Sequence, residues 1–169
     1  LTERLSREWG RFGQSSEQIK QEIAKTVAVY QSAPLWAYSA QEGAAHFKKV
    51  CAACHEPGGQ NERIAPSLAG SGSKGIEYIV ENIIDPNAVI GRDFQARLIL
   101  TTDGRVISGL VEMETDSAVT LRTANDRVTI PRAEIEEMGI SENSFMPVEL
   151  LNALNERERI ELLKYLMSL

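Results

Sequence analysis

The sequence predicts a mainly α fold interrupted by a small antiparallel β sheet or barrel, α+β overall, and three observations carry that prediction. Apolar residues recur three and four apart before residue 85 and again after residue 155, the spacing of one helix face. Between these stretches, residues 94 to 141 change to short β-branched runs. Turn-forming residues break those runs, the Asp103-Gly104 pair most clearly, as expected of antiparallel hairpins.

The first 38 residues read as a helical leader or linker. Ser15 or Ser16 is placed to cap a helix whose Ile19, Ile23, Val27 and Tyr30 form one apolar stripe, and Pro34 stops it. A second helix starts after Ser39, with Gly43, Phe47 and Cys51 four apart on one face. The glycine- and proline-rich run from His55 to Gly75 reads as loop, and Ile76, Ile79, Val80 and Ile83 mark a third helix ending at Asp85-Pro86. Four or five strands are expected from about residue 94 to 141, broken at Asp103-Gly104, Thr115-Asp116-Ser117 and Asn125-Asp126. The last helix opens on Asn155 with Glu158 three positions on, a capping-box pattern, and buries Ile160, Leu163, Tyr165, Leu166 and Leu169. Three segments are therefore expected: a leader at 1–38, a helical domain formed by 39–93 and 142–169, and a β insertion at 94–141.

Composition narrows the function. With 43% apolar and 25% charged residues, the chain of 169 has the make-up of a globular protein with a real core. Its net charge of −6 argues against nucleic acid, which needs clustered Lys and Arg to neutralise phosphates. No run is apolar enough over the 18 or so residues that a transmembrane segment needs. The start at Leu1, without methionine or a leader pattern, is expected of a piece of a longer polypeptide.

Both cysteines and one of the two histidines fall in "CAACH", residues 51 to 55. Zinc would need four ligands, and only Cys51, Cys54, His46 and His55 exist; His55 adjoins Cys54, and His46 sits on an apolar helix. A redox dithiol would stand at a helix N-terminus after a strand, whereas these cysteines close a helix. The third chemistry is covalent haem attachment. Thiols three positions apart match the two haem vinyl groups, and the histidine directly behind them stands over the ring to ligate iron through Nε2. Such a histidine usually donates its other ring N–H to a carbonyl, and Pro66 offers one 66 − 55 = 11 residues on.

The sixth ligand has four methionine candidates. Met113 falls inside a strand, Met138 at the end of the β region, and Met167 on a core-facing helix. Met146 lies in the irregular "NSFMPVEL", where Pro147 stiffens the backbone, and it is the favoured ligand. His46 shares the helix of Cys51 and cannot reach the opposite haem face.

With these residues in place the chain resembles the class I c-type cytochromes. Gly43, Phe47, Cys51, Cys54 and His55 meet that family's Gly-x-x-x-aromatic-x-x-x-Cys-x-x-Cys-His pattern. Pro66, Leu68 and Gly70 meet its Gly-Pro-x-Leu-x-Gly loop, with Ala65 in place of the first glycine. Lys74 stands where the family often has an arginine near a haem propionate, and Arg63 is the second candidate for that role. The methionine of the family likewise precedes the C-terminal helix and is often followed by proline. From His55 to Met146 is 146 − 55 = 91 residues, longer than a compact single-haem cytochrome needs, and the β segment accounts for the excess. With "IIDPNAVI", "TTDGRVISGL" and "SFMP" around that segment, residues 43 to 169 resemble the planctomycete and verrucomicrobial haem-binding domain.

The resemblance implies a cytochrome c fold with one covalently bound haem c, axial ligands His55 and Met146, and thioethers at Cys51 and Cys54. Phe47, Leu68, Tyr78, Ile83 and Leu151 would wall the pocket, and Pro66 would take part in cofactor binding through its carbonyl. It implies an electron-transfer domain rather than an enzyme, a redox partner protein or upstream dehydrogenase domain, and a periplasmic or otherwise extracytoplasmic location. The rival reading is a haem sensor or peroxidase-like domain with an open sixth position.

Overall fold

The computed structural model describes residues 10–13, 15–55, 64–123 and 126–169. Residues 1–9 of the expected leader, residues 56–63 of the loop with Arg63 among them, and Asn125 lie outside the described residues. Helix α1 spans Glu17–Ser32; the Ser16 hydroxyl accepts from the Ile19 N–H at 3.3 Å, and Ala33-Pro34 ends the helix. Helix α2 (Ala40–Val50) starts the same way, with the Ser39 hydroxyl accepting from the Glu42 N–H at 3.2 Å. A single helical turn, α3 (Ala52–His55), comes directly after it, and α4 covers Ile76–Ile84. Helix α5 (Glu156–Leu166) opens with the reciprocal capping box: Asn155 Oδ1 accepts from the Glu158 N–H at 3.0 Å and the Glu158 carboxylate from the Asn155 N–H at 2.7 Å.

α2 and α5 cross at Gly43. A Cβ at that position would lie 2.0 Å from the Glu161 carbonyl oxygen and 2.8 Å from the Tyr165 Cβ, so only glycine lets the two backbones approach this closely. One turn on, the Phe47 ring meets Tyr165 with centroids 5.4 Å apart. Around this crossing Phe47, Val80, Leu162 and Leu163 are almost fully buried, and Val27 and Tyr30 of α1 join the same cluster. The segments 13–88 and 146–169 make up this helical unit.

After Ala88 the chain enters the other unit, which it leaves at Phe145. β1 (Gly10–Phe12) and β2 (Val89–Gly91) form a two-stranded antiparallel ribbon, Gly10 opposite Gly91. The remaining strands are β3 (Arg97–Thr101), β4 (Val106–Glu114), β5 (Ala118–Arg122), β6 (Arg127–Pro131) and β7 (Ile135–Ile140). They build one antiparallel sheet in the order β6-β5-β4-β3-β7. β4 gives its first half to β3 and its second half to β5, with a register shift between Val111 and Met113 that bends the strand. The β3–β4 hairpin turns at Asp103-Gly104, where Gly104 takes φ 84°. Ile99, Val119, Leu121 and Ile130 form a second hydrophobic cluster on one face of the sheet.

The expected class, a mainly α cytochrome c fold carrying a small β insertion, is corrected by this architecture. A cytochrome c is helical, whereas among the described residues a five-stranded antiparallel sheet and a ribbon stand beside five helices. The physical reason lies in the strands. Their inward residues are apolar enough to close a core of their own, so the sheet is a structural unit and not an appendage of the helices.

Candidate functional site

The Cys51 N–H bonds the Phe47 carbonyl at 2.8 Å, which makes Cys51 the last hydrogen-bonded position of α2. α3 then coils tightly, with the N–H groups of Cys54 and His55 reaching the Cys51 carbonyl at 3.2 and 3.1 Å. Positions three and four apart in a helical turn share a face, so both thiols and the imidazole are presented together. Both thiols are free, Cys51 buried and Cys54 half-buried. Burial, and then the neighbouring Cys54, push the Cys51 thiol up to about 12, which keeps it protonated.

The His55 ring is oriented from outside its own helix. Nδ1 lies 2.8 Å from the Pro66 carbonyl oxygen. A carbonyl only accepts, so Nδ1 carries the proton and Nε2 carries the lone pair that a metal would use. The Pro66 segment is held in turn by the glycines that come after it. The Gly70 N–H donates to the Leu169 carbonyl at 2.8 Å, and a Cβ on Gly72 would lie 2.3 Å from the Met167 carbonyl oxygen. The loop is thereby fastened to the end of α5 by backbone contacts only small residues permit.

Several of the expected pocket residues gather in one apolar cluster. Phe47, Cys51, Ile83 and Leu151 are buried in it, and Leu68 and Met146 are half-buried against it. Tyr78 is different: the residue is 41% exposed, with the Lys74 Nζ 4.5 Å from the ring centroid and 3.2 Å from its hydroxyl. Pro66 is exposed apart from its carbonyl contact.

His46 has another role. Its Nε2 donates to Glu161 Oε2 at 3.2 Å, and Glu161 Oε1 accepts from the Ser39 N–H at 3.3 Å and from Arg157 at 3.1 Å. Burial pushes the Glu161 carboxyl up, but the His46 and Ser39 hydrogen bonds and the Arg157 charge outweigh it and hold the group below the usual carboxylate range. Among the described residues no three His, Cys, Asp or Glu side chains gather as a metal-holding group.

The basic residues of α5 were not marked by any sequence pattern. Lys164 Nζ donates to the Leu35 and Tyr38 carbonyls at 2.6 and 2.7 Å, and Arg157 to the Ala37 carbonyl at 3.1 Å. Arg159 Nε donates to the Leu151 and Leu154 carbonyls at 2.9 and 3.0 Å. Their acceptors are backbone oxygens, which leave no trace in residue types.

The donor set suits a covalently held haem. Two free thiols stand on one helical turn, an imidazole has its tautomer fixed for Nε2 ligation, and a methionine sits against the same apolar cluster. No helix among the described residues is long and apolar enough to cross a membrane. No curated protein matches the chain. Residues 39–92, the segment that carries this turn and its loop, match the family model described as cytochrome C oxidase, cbb3-type, subunit III, which supports a c-type cytochrome domain and with it haem binding and electron transfer.

Proposed function

We propose that this chain carries a mono-haem c-type cytochrome domain that passes single electrons, with His55 and Met146 as axial ligands. The observation that carries the reading is the 2.8 Å contact of His55 Nδ1 with the Pro66 carbonyl, within a Cys-x-x-Cys-His turn. That contact does for His55 what a ligating histidine requires: it fixes the ring and leaves Nε2 for iron. Haem c, when bound, supplies one reversible electron on its iron. Cys51 and Cys54 would hold that group, each thiol adding its sulfur and hydrogen across one haem vinyl so that nothing is released. Phe47, Leu68, Ile83 and Leu151, clustered as one apolar group, would keep water from the ring and so raise the potential, and Met146 would supply the second iron ligand. Lys74, already beside the Tyr78 hydroxyl, or Arg63 would meet a propionate.

In this reading residues 39–93 and 142–169 form the electron-carrying domain, and 94–141 is a β insertion between its two segments. The domain accepts electrons from an attached or associated dehydrogenase and works in the periplasm or another extracytoplasmic space, where c-type cytochromes typically occur. In design it resembles the planctomycete and verrucomicrobial haem-binding domains.

The test is made on protein produced with haem-attachment machinery. The denatured chain should keep a mass increase of one whole haem, and the ferric form should show the weak near-infrared charge-transfer band of methionine ligation, lost in Met146→Ala. Absence of the mass increase sinks the reading. An open sixth position, shown by tight carbon monoxide or peroxide binding and no such band, would make the domain a sensor or peroxidase instead.

A further inference from the structure

We infer that Arg159 is a positioning residue for the sixth ligand: its guanidinium anchors the turn behind Met146 and so controls how readily that methionine leaves the iron. The inference rests on the proposed role of Met146.

Only Pro147, Val148 and Glu149 separate Met146 from the short helical turn Leu150–Ala153. Pro147 has one fixed backbone dihedral. Glu149 takes φ 63°, the left-handed region that a side chain other than glycine, asparagine or aspartate rarely adopts, so the turn must be held by something else. On its apolar side it is held by Leu151 and Leu154, both buried. On its polar side it is held by Arg159. Nε donates to the Leu151 carbonyl at 2.9 Å and the Leu154 carbonyl at 3.0 Å, while Nη2 lies 3.4 Å from Asn152 Oδ1. The Leu154 N–H already closes the turn onto the Leu151 carbonyl at 3.1 Å, so Arg159 adds a charge-assisted bond to a turn that is formed. The guanidinium meets these three acceptors from two nitrogens of one rigid fork, a geometry that the single ammonium nitrogen of lysine does not reproduce. Because Arg159 sits in the first turns of α5, itself fixed by the Asn155 cap, the tail of the methionine loop is tied to that helix.

A methionine sulfur binds iron weakly, so it leaves when its loop loosens. In ferric holoprotein, added cyanide captures the position that Met146 vacates, and at high cyanide the rate reports loop opening alone. Arg159→Ala should raise this limiting rate about tenfold, the factor expected for one charge-assisted hydrogen bond. Arg159→Lys should fall between that variant and wild type. Arg157 is the control, since it leaves the same helix for the Ala37 carbonyl and Glu161 instead. Arg157→Ala should lower the melting temperature yet keep the cyanide rate within about twofold, as sites without shared partners act independently. Equal acceleration in the Arg157 and Arg159 variants would mean general loosening and overturn the inference, as would an unchanged rate in Arg159→Ala. If Arg159→Ala does not fold, Arg159→Lys carries the test, and a wild-type rate in it overturns the inference. Retention of the near-infrared band in Met146→Ala is a separate failure, of the ligand assignment itself.

Discussion

Gly43 shows how much one missing side chain decides. Any Cβ there would meet the Glu161 carbonyl oxygen at 2.0 Å, and that oxygen belongs to the interior of α5 and cannot swing aside. Gly43→Ala should therefore cost at least about 3 kcal/mol, the upper end of what overpacking costs. Phe47→Ala, which empties a fully buried site beside Tyr165, should cost about 3–5 kcal/mol. Thermal or chemical denaturation checks both, and a Gly43→Ala chain as stable as wild type would contradict the crossing. Individual residues differ in how far sequence reveals them. Gly43, Phe47 and the cysteines are legible because they repeat at a helical interval, and the Pro66 carbonyl because a ligating histidine needs a partner nearby. His46 and Glu161, 115 positions apart, carry no such interval. Tyr78, a pocket wall by the resemblance alone, is partly exposed with the Lys74 ammonium over its ring, a contact between residues four positions apart.

At the scale of elements, α5 is the organiser of the helical unit. Its start is legible, since the Asn155–Glu158 capping box is a local pattern. Its contacts are not legible, because Arg157, Arg159 and Lys164 bind backbone carbonyls of distant turns. The same helix carries Glu161, which joins α5 to α2 through His46 and the Ser39 N–H. Its carboxyl is held below the ordinary value of 4.5, so the ionised form favours the fold. That stabilisation is complete above pH 4.5, the unfolded value, and is lost as the pH falls through the lower folded value. Stability measured by denaturant between pH 6 and pH 3 (about the window that ordinary carboxylate titration brackets) should fall more steeply for wild type than for Glu161→Gln. At neutral pH that variant should be less stable by about 1–3 kcal/mol, because His46 and Ser39 then donate to a neutral, poorer acceptor. Parallel pH curves for the two proteins would show that the carboxylate is not the acid-sensitive group.

Across the whole molecule, two hydrophobic clusters share no residue: one built by the helices around Phe47 and Leu162, the other by the strands around Ile99 and Leu121. The change of period near residue 94 announced the strands, and all five are where short β-branched runs and turns place them. What periodicity does not measure is whether a strand segment closes its own core, which is why the helical class needed correction. The β1–β2 ribbon was equally hidden, since three-residue strands from distant parts of the chain have no pattern to detect. Separate cores have a thermodynamic consequence. Cooperativity is a property of a shared core, so a chain with two need not unfold in one step. In a denaturant titration, haem absorbance reports the helical unit and the strand signal in circular dichroism reports the sheet unit. Leu121→Ala removes a fully buried side chain from the sheet cluster and should destabilise that unit by about 2–5 kcal/mol. The strand transition should then move to lower denaturant while the haem transition stays in place, and the ferric near-infrared band should be unaltered under native conditions. Coincident transitions that shift together in Leu121→Ala would show instead that the two cores unfold as one.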